Sequence, residues 1–237
     1  MSTAHPADPP PPPRLAVFAA DSLLGEAVAR DALLRACEVV SAAEDPSLVA
    51  QVSPAQQIIG IDPGDPVGLL AALDGASAVI LALEPDPVPG AHRCDLSELL
   101  VSVVRAMRRT GVGRLVSSSS LALSGEAADP RVDRSTRRAA RDLLTALRTE
   151  VSPEDHTREL RRCEMLLDGS GTDWTVLRAG RLTDLLGTRR PRLVDAASAT
   201  DASSRRIARE DLARALVDQA LVPGDPGARV RTVVADG

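Results

Sequence analysis

Three stretches of the 237-residue chain carry side chains able to do chemistry. Residues 16–28 read AVFAADSLLGEAV, an apolar run, a short loop and an amphipathic segment opening at Gly25. That is the rhythm of a strand, a phosphate loop and a helix, and the amide end of a helix is a seat for anions. Residues 115–120, LVSSSS, put hydroxyls at the end of an apolar run. Hydroxyls there can hydrogen-bond a substrate carbonyl, or satisfy the backbone of their own loop. His156, in PEDHTRE, brings a group that titrates near neutrality and can serve as general acid or base. A lone histidine in so polar a run is more often a surface residue. The chain has no Tyr, Lys or Asn, and all 28 basic residues are Arg. Any mechanism that requires one of those three side chains is therefore excluded. No G-x-S-x-G elbow, Walker loop or H-E-x-x-H pair is present. His92 and Cys94 are neighbours without an evident third ligand, so no metal site is expected.

The elements that must position these groups alternate. Strands are predicted over RLAVFAA (14–20), CEVVSA (37–42), QQIIGID (56–62), SAVILAL (77–83), GRLVSSSS (113–120), DWTVLRA (173–179) and ARVRTVVAD (228–236). Helices are predicted over 22–35, 66–75, 94–110, 133–150, 152–171 and 207–221, with Gly75 and Gly111 at helix ends and Ser152 as an N-cap three residues before Asp155. The apolar face of the first helix is Leu24, Ala27, Val28, Leu33 and Leu34. Arg134, Arg137, Arg138 and Arg141 share one face of the fourth, which can meet an acidic partner or be the wet side of the helix. Strand and helix in turn predict α/β architecture, a doubly wound parallel sheet in a single domain.

Composition sets the outer limits. Apolar residues make up 44% of the chain and aromatics 1%, so the core is built from Leu, Val, Ile and Ala. A net charge of -5 argues against nucleic-acid binding, and no apolar run approaches the roughly 20 residues of a membrane span, so neither partner is expected. Cys37, Cys94 and Cys163 are odd in number and far apart, which suits free thiols in a reducing cytoplasm. Residues 1–13 are Pro-rich and read as a disordered tail ahead of a 14–237 domain; the PPPPP run is a spacer or a ligand for an aromatic groove.

The stretches AVFAADSLLGEAV, AALDGASAVILAL, AMRRTGVGRLVSSSS, CEMLLDGSGTDWTVLRAGRLTD and RRIAREDLARAL occur in an order that resembles the atypical short-chain dehydrogenase/reductase superfamily. The closer likeness is to its NmrA-like, flavin-reductase-like NAD(P)H-binding members, and it spans Arg14 to about Val234. The resemblance implies a Rossmann-like fold and a G-x-x-G-x-x-G loop. Gly25 matches the third glycine, while Ala19 and Ser22 stand at the first and second. Those glycines serve a tight turn, close approach to the diphosphate and helix–strand packing. A β-carbon at Ala19 or Ser22 intrudes on the diphosphate, and Asp21 adds a carboxylate to the loop. Relatives that prefer NADP often carry Arg where this chain has Leu23, and a basic residue near Glu44. The resemblance thus implies NAD(P), with NAD favoured over NADP, though Asp21 and Glu44 read equally as solvated loop acids. Asp62 matches an acid near the adenine, and Ala82 with Leu83 the segment under the nicotinamide ribose.

For catalysis the resemblance implies Ser119 and Ser120 as a serine pair at the sheet's carboxyl edge, and His156 on the active-site side. It gives Arg178 a role in orienting a carboxylate or phosphate, or in clamping a loop, for example through Asp184. Arg209, Glu210 and Asp211 are expected to be helix-capping charges. The family's usual Tyr–Lys pair cannot exist here. Two functions follow from these residues. One is an NAD(P)-dependent reductase of a small molecule with an eroded cofactor loop. The other is a cofactor-independent protein that uses the vacated cleft for cyclisation, isomerisation or dehydration, or as a small-molecule-binding regulator. Related folds often pair through helices flanking the sheet, which makes a homodimer the assembly to look for.

Overall fold

The computed structural model describes residues 11–87, 95–124, 152–188, 190–195, 205–226 and 229–235. His92, Cys94, the arginine face at 134–141, the helix expected over 133–150 and the first ten residues of the tail lie outside the described residues. Pro13 already belongs to the fold, because its carbonyl accepts the amide of Glu38 at 2.9 Å.

Six parallel strands run in chain order: β1 (Arg14–Phe18), β2 (Glu38–Ala43), β3 (Gln56–Gly60), β4 (Ala78–Leu81), β5 (Arg114–Ser120) and β6 (Asp173–Ala179). Five described helices accompany them: α1 (Leu23–Leu34), α2 (Pro66–Leu73), α3 (Leu96–Thr110), α4 (Pro153–Asp168) and α5 (Arg209–Ala220). The main sheet is completed by β8 (Arg192–Asp195) and β10 (Val230–Val234), while β7 (Arg181–Thr183) and β9 (Arg206–Ala208) form a separate parallel ribbon. The spatial order is β3-β2-β1-β4-β5-β6-β10-β8. Among the described strands of this sheet, only the β10–β8 pairing is antiparallel. This is the doubly wound α/β sheet expected of a Rossmann-like single domain, with its strand order reversing between β1 and β4.

Parallel strands covered on both faces must be apolar throughout. β4 and β5 are buried along their whole length, and β1 from Leu15 onward. One face packs α1 and α5 through Leu24, Val28, Leu212 and Leu216. The other packs α2, α3 and α4 through Leu73, Leu99, Val103, Leu160 and Leu167.

The helix ends follow the residues that cap them. Ser152 and Asp155 form a reciprocal cap on α4: the Ser152 hydroxyl accepts the Asp155 amide at 3.0 Å and donates to its carboxylate at 2.7 Å. Gly111 closes α3 in the left-handed conformation at φ 78°. Several expectations need correcting. Leu34 does not face the core; it is 80% exposed, beside the turn that ends α1. β3 ends at Gly60 rather than Asp62, and α3 begins at Leu96, because Asp95 caps its first amides. α5 begins at Arg209 and has no side-chain cap, so Arg209 and Asp211 are not capping charges. Asp211 is buried and accepts the amide and hydroxyl of Thr188 at 2.7 and 3.0 Å. Arg209 belongs to the site described next.

Candidate functional site

A parallel sheet gathers the carboxyl ends of its strands along one edge. Ala19 and Asp21 follow β1, Glu44 follows β2, Asp62 follows β3, and Ala82 to Glu84 follow β4. Ser119, Ser120 and Arg178 close β5 and β6. Topology alone therefore brings the predicted strand-end residues to one edge of the sheet, across the reversal where such folds bind ligands.

The loop after β1 turns at a residue in a conformation that favours glycine. Ala19 stands at φ 57°, in the left-handed region that L side chains rarely adopt. Its carbonyl accepts the amide of Ser22 at 3.1 Å. Gly25 sits flush against this turn: a β-carbon there would run into the Ala19 carbonyl and stand 2.7 Å from the Ala20 α-carbon. Gly25 thus performs helix–strand packing. Ser22 is the N-cap of α1, and its hydroxyl accepts the Gly25 amide at 2.9 Å.

Glu84 occupies the amide end of α1. Its Oε1 accepts the Leu24 amide at 2.9 Å, and both carboxylate oxygens accept from Arg209 Nη1 at 2.9 Å. Arg209 is anchored in turn by Nε on Asp184 at 3.0 Å. Glu84 is 3% exposed. Burial pushes its carboxyl above the ordinary carboxylate range, against the Arg209 guanidinium and the Leu24 amide, which hold it down. A carboxylate on the first amides of a helix is the arrangement the helix dipole favours.

The backbone under this carboxylate is fastened at three successive carbonyls. The Ser22 hydroxyl reaches the Ala82 carbonyl at 3.5 Å, Ser118 donates to that of Leu83 at 2.6 Å, and His156 donates from Nε2 to that of Glu84 at 2.8 Å. Ala82 and Leu83 are wholly buried. The sequence places His156 at the surface, but it is buried, on the stripe His156, Leu160, Cys163 and Leu167 that α4 turns to the core. A strand points successive side chains to opposite faces, so Ser119 and Ser120 do not converge on one atom. Ser119 is buried and its hydroxyl has no hydrogen-bond partner among the described residues, whereas the Ser120 hydroxyl accepts the Ala122 amide at 3.3 Å. Arg178 forks onto Glu164 of α4, Nε to Oε1 at 3.1 Å and Nη2 to Oε2 at 2.6 Å, and reaches Ser124 at 3.1 Å. It is a clamp, as one expectation had it, but on Glu164; Asp184 belongs to Arg209.

The end of the crevice beyond β1, β2 and β3 is acidic. Asp21 and Glu44 are half-buried, Asp21 accepts the Asp45 amide at 3.3 Å, and Asp62 is exposed and ties down the Gly64 amide at 2.8 Å. Leu23 is 53% exposed beside the loop. Sequence reasoning missed Glu84 and gave Arg209 a capping role in place of this ion pair. Nothing local marks Glu84, whose partner lies 125 residues away. The core stripe of α4 was a usable signal for His156.

A dinucleotide requires an anion seat at the head of α1. The loop backbone fits that requirement, because the Leu24 amide already grips a carboxylate. The residue that does not fit is Glu84 itself, which holds the seat.

Comparison with known proteins agrees with this frame. A model of the NAD(P)H-binding family matches residues 20–223. No curated protein matches the sequence. A short-chain dehydrogenase/reductase from Veillonella parvula superposes with a TM-score of 0.71 at 15% identity, covering 95% of each chain. A wide-type short-chain dehydrogenase/reductase of the same organism, crystallised with NADP, superposes with a TM-score of 0.68 at 16% identity, again over 95% of each. A Rossmann-fold NAD(P)-binding family protein from Shigella flexneri gives 0.64 at 17%, over 95% of this chain and 94% of that one. At such identities the likeness of structures fixes the fold, and the match over most of the sequence fixes the family: this chain belongs to the NAD(P)H-binding family of Rossmann-fold proteins.

Proposed function

We propose that the chain is a pyridine-nucleotide-linked reductase of a small carbonyl or conjugated compound, working without the Tyr–Lys pair. The observation that supports this most is the retained loop: Ala19 holds a glycine's conformation and Gly25 stays locked against it, so the amide end of α1 faces the crevice at the strand reversal. The bound nucleotide would supply hydride. The chain supplies the rest. Leu24 offers its amide to the diphosphate. Asp21, Glu44 and Asp62 make the adenosine side acidic; carboxylates repel a 2′-phosphate and suit ribose hydroxyls, which favours NAD over NADP. The fastened Ala82–Glu84 backbone gives the nicotinamide end a stiff floor. Ser119 has a buried hydroxyl, unpartnered among the described residues, that would donate to a substrate carbonyl. His156, whose ring bonds the Glu84 carbonyl at the end of that floor, would serve as general acid.

Glu84 supports a second reading, a cofactor-independent protein that uses the same crevice for a non-redox step or as a small-molecule sensor. Calorimetric titration separates the two. Saturable micromolar binding of NADH, tighter than NADPH, is the expected result. Absence of heat at millimolar concentrations of either nucleotide, to the native chain and to one with Glu84 truncated, would leave only the second reading.

A further inference from the structure

We propose that Glu84 is a built-in plug of the diphosphate seat, so that dinucleotide binding in this chain is a competition between two anions for the Leu24 amide. This rests on the reductase reading above and adds a form of regulation to it. Three observations carry it. The carboxylate is on the amide, at 2.9 Å, and not merely near it. It is clamped there by Arg209, itself tethered to Asp184, so the contact is held from β4, α1, α5 and the segment after β7 together. The neighbouring Gly25 amide is also taken, by Ser22, so two successive amides of the first turn of α1 are already engaged by side chains of this chain.

The exchange trades the single negative charge of a carboxylate for the two of a diphosphate, of which one guanidinium can offset one. A dinucleotide that enters displaces one carboxylate from the amide, and the Arg209 guanidinium that neutralised Glu84 is left to face the diphosphate. Glu84 must turn outward about its own side-chain bonds, because its backbone is fastened through the His156–carbonyl bond. The resting protein is therefore closed to the cofactor and opens by a side-chain swing rather than by a domain movement. Affinity is reduced by the fraction of time the plug is seated.

The test is calorimetric titration of NAD into the native chain, Glu84→Ala and Glu84→Gln, each first shown to melt cooperatively. Both variants remove the anion; Gln keeps the shape if Ala destabilises the fold. We expect the dissociation constant to fall at least tenfold in either variant. Equal or weaker binding by a folded variant overturns the plug and leaves the reductase reading standing, provided the native chain binds. No binding by any of the three overturns both. A second measurement needs no variant: the carboxyl carbon-13 resonance of Glu84 must move when NAD saturates the native chain. A bound state in which it stays put overturns the proposal.

Discussion

Gly25 and Ala19 are in such close backbone contact that a methyl group on the glycine has no room: it would meet the Ala19 carbonyl oxygen and the Ala20 α-carbon. Both partners are main chain and cannot turn aside. Gly25→Ala is expected to cost about 3 kcal/mol by forcing α1 off β1, read as a fall in the urea midpoint. Ala19→Gly, at φ 57°, is expected to stabilise by about 1 kcal/mol through relief of the left-handed strain. Ala36, at φ 58° and away from the crevice, is the control: its glycine variant should gain similarly without altering nucleotide binding. An Ala19→Gly variant no more stable than the native chain would remove the claim of strain.

Arg178 and Glu164 tie β6 to α4 by two parallel bonds. A lysine cannot make that fork. Arg178→Lys and Glu164→Gln should each cost about 2 kcal/mol, typical of hydrogen bonds to charged groups. If the pair only clamps, the double variant should cost less than the two single losses added together, in urea denaturation. Full additivity would show that the two side chains act apart.

Glu84 also sets a pH dependence. Its folded carboxyl titrates above the reference 4.5, burial being the largest cause. The folded state then holds a proton that the unfolded chain has released, so this group's contribution to stability falls as pH rises upward from 4.5. The groups around it are Arg209 from α5, Asp184 behind that arginine, Asp86 two residues on, and His156 of α4 on its carbonyl. Native stability minus that of Glu84→Gln should decline across that interval, measured by urea denaturation at successive pH. A flat difference curve would contradict the assigned direction.

Much of the frame was legible because it is written locally. The alternation of apolar strands with amphipathic helices needs only neighbouring residues, and so do the caps at Ser152 and Gly111. Gly25 could be given its packing role from its place in the loop. What the sequence hid is long-range or reversed in sense. Leu34 sits at helical spacing yet faces water, because α1 ends in the turn beside it. His156 looks like a surface group among its charged neighbours, and only its spacing to Leu160, Cys163 and Leu167 reveals the buried face. Arg178 could be placed at the end of β6, but not given Glu164, since side-chain direction follows from the sheet's pleat and the approach of α4. The edge strand β8 carries only RLVD, too short to signal a pairing with β10.

The bond between Glu84 and Arg209 spans more than half the chain. During translation the first four strands leave the ribosome well before α5 is made. The early chain has its loop and its acid but not the cation that steadies them, and such non-local contacts form late. The crevice is accordingly finished last, when the C-terminal helix docks, and whatever the mature protein binds there meets a pocket that no nascent fragment possesses.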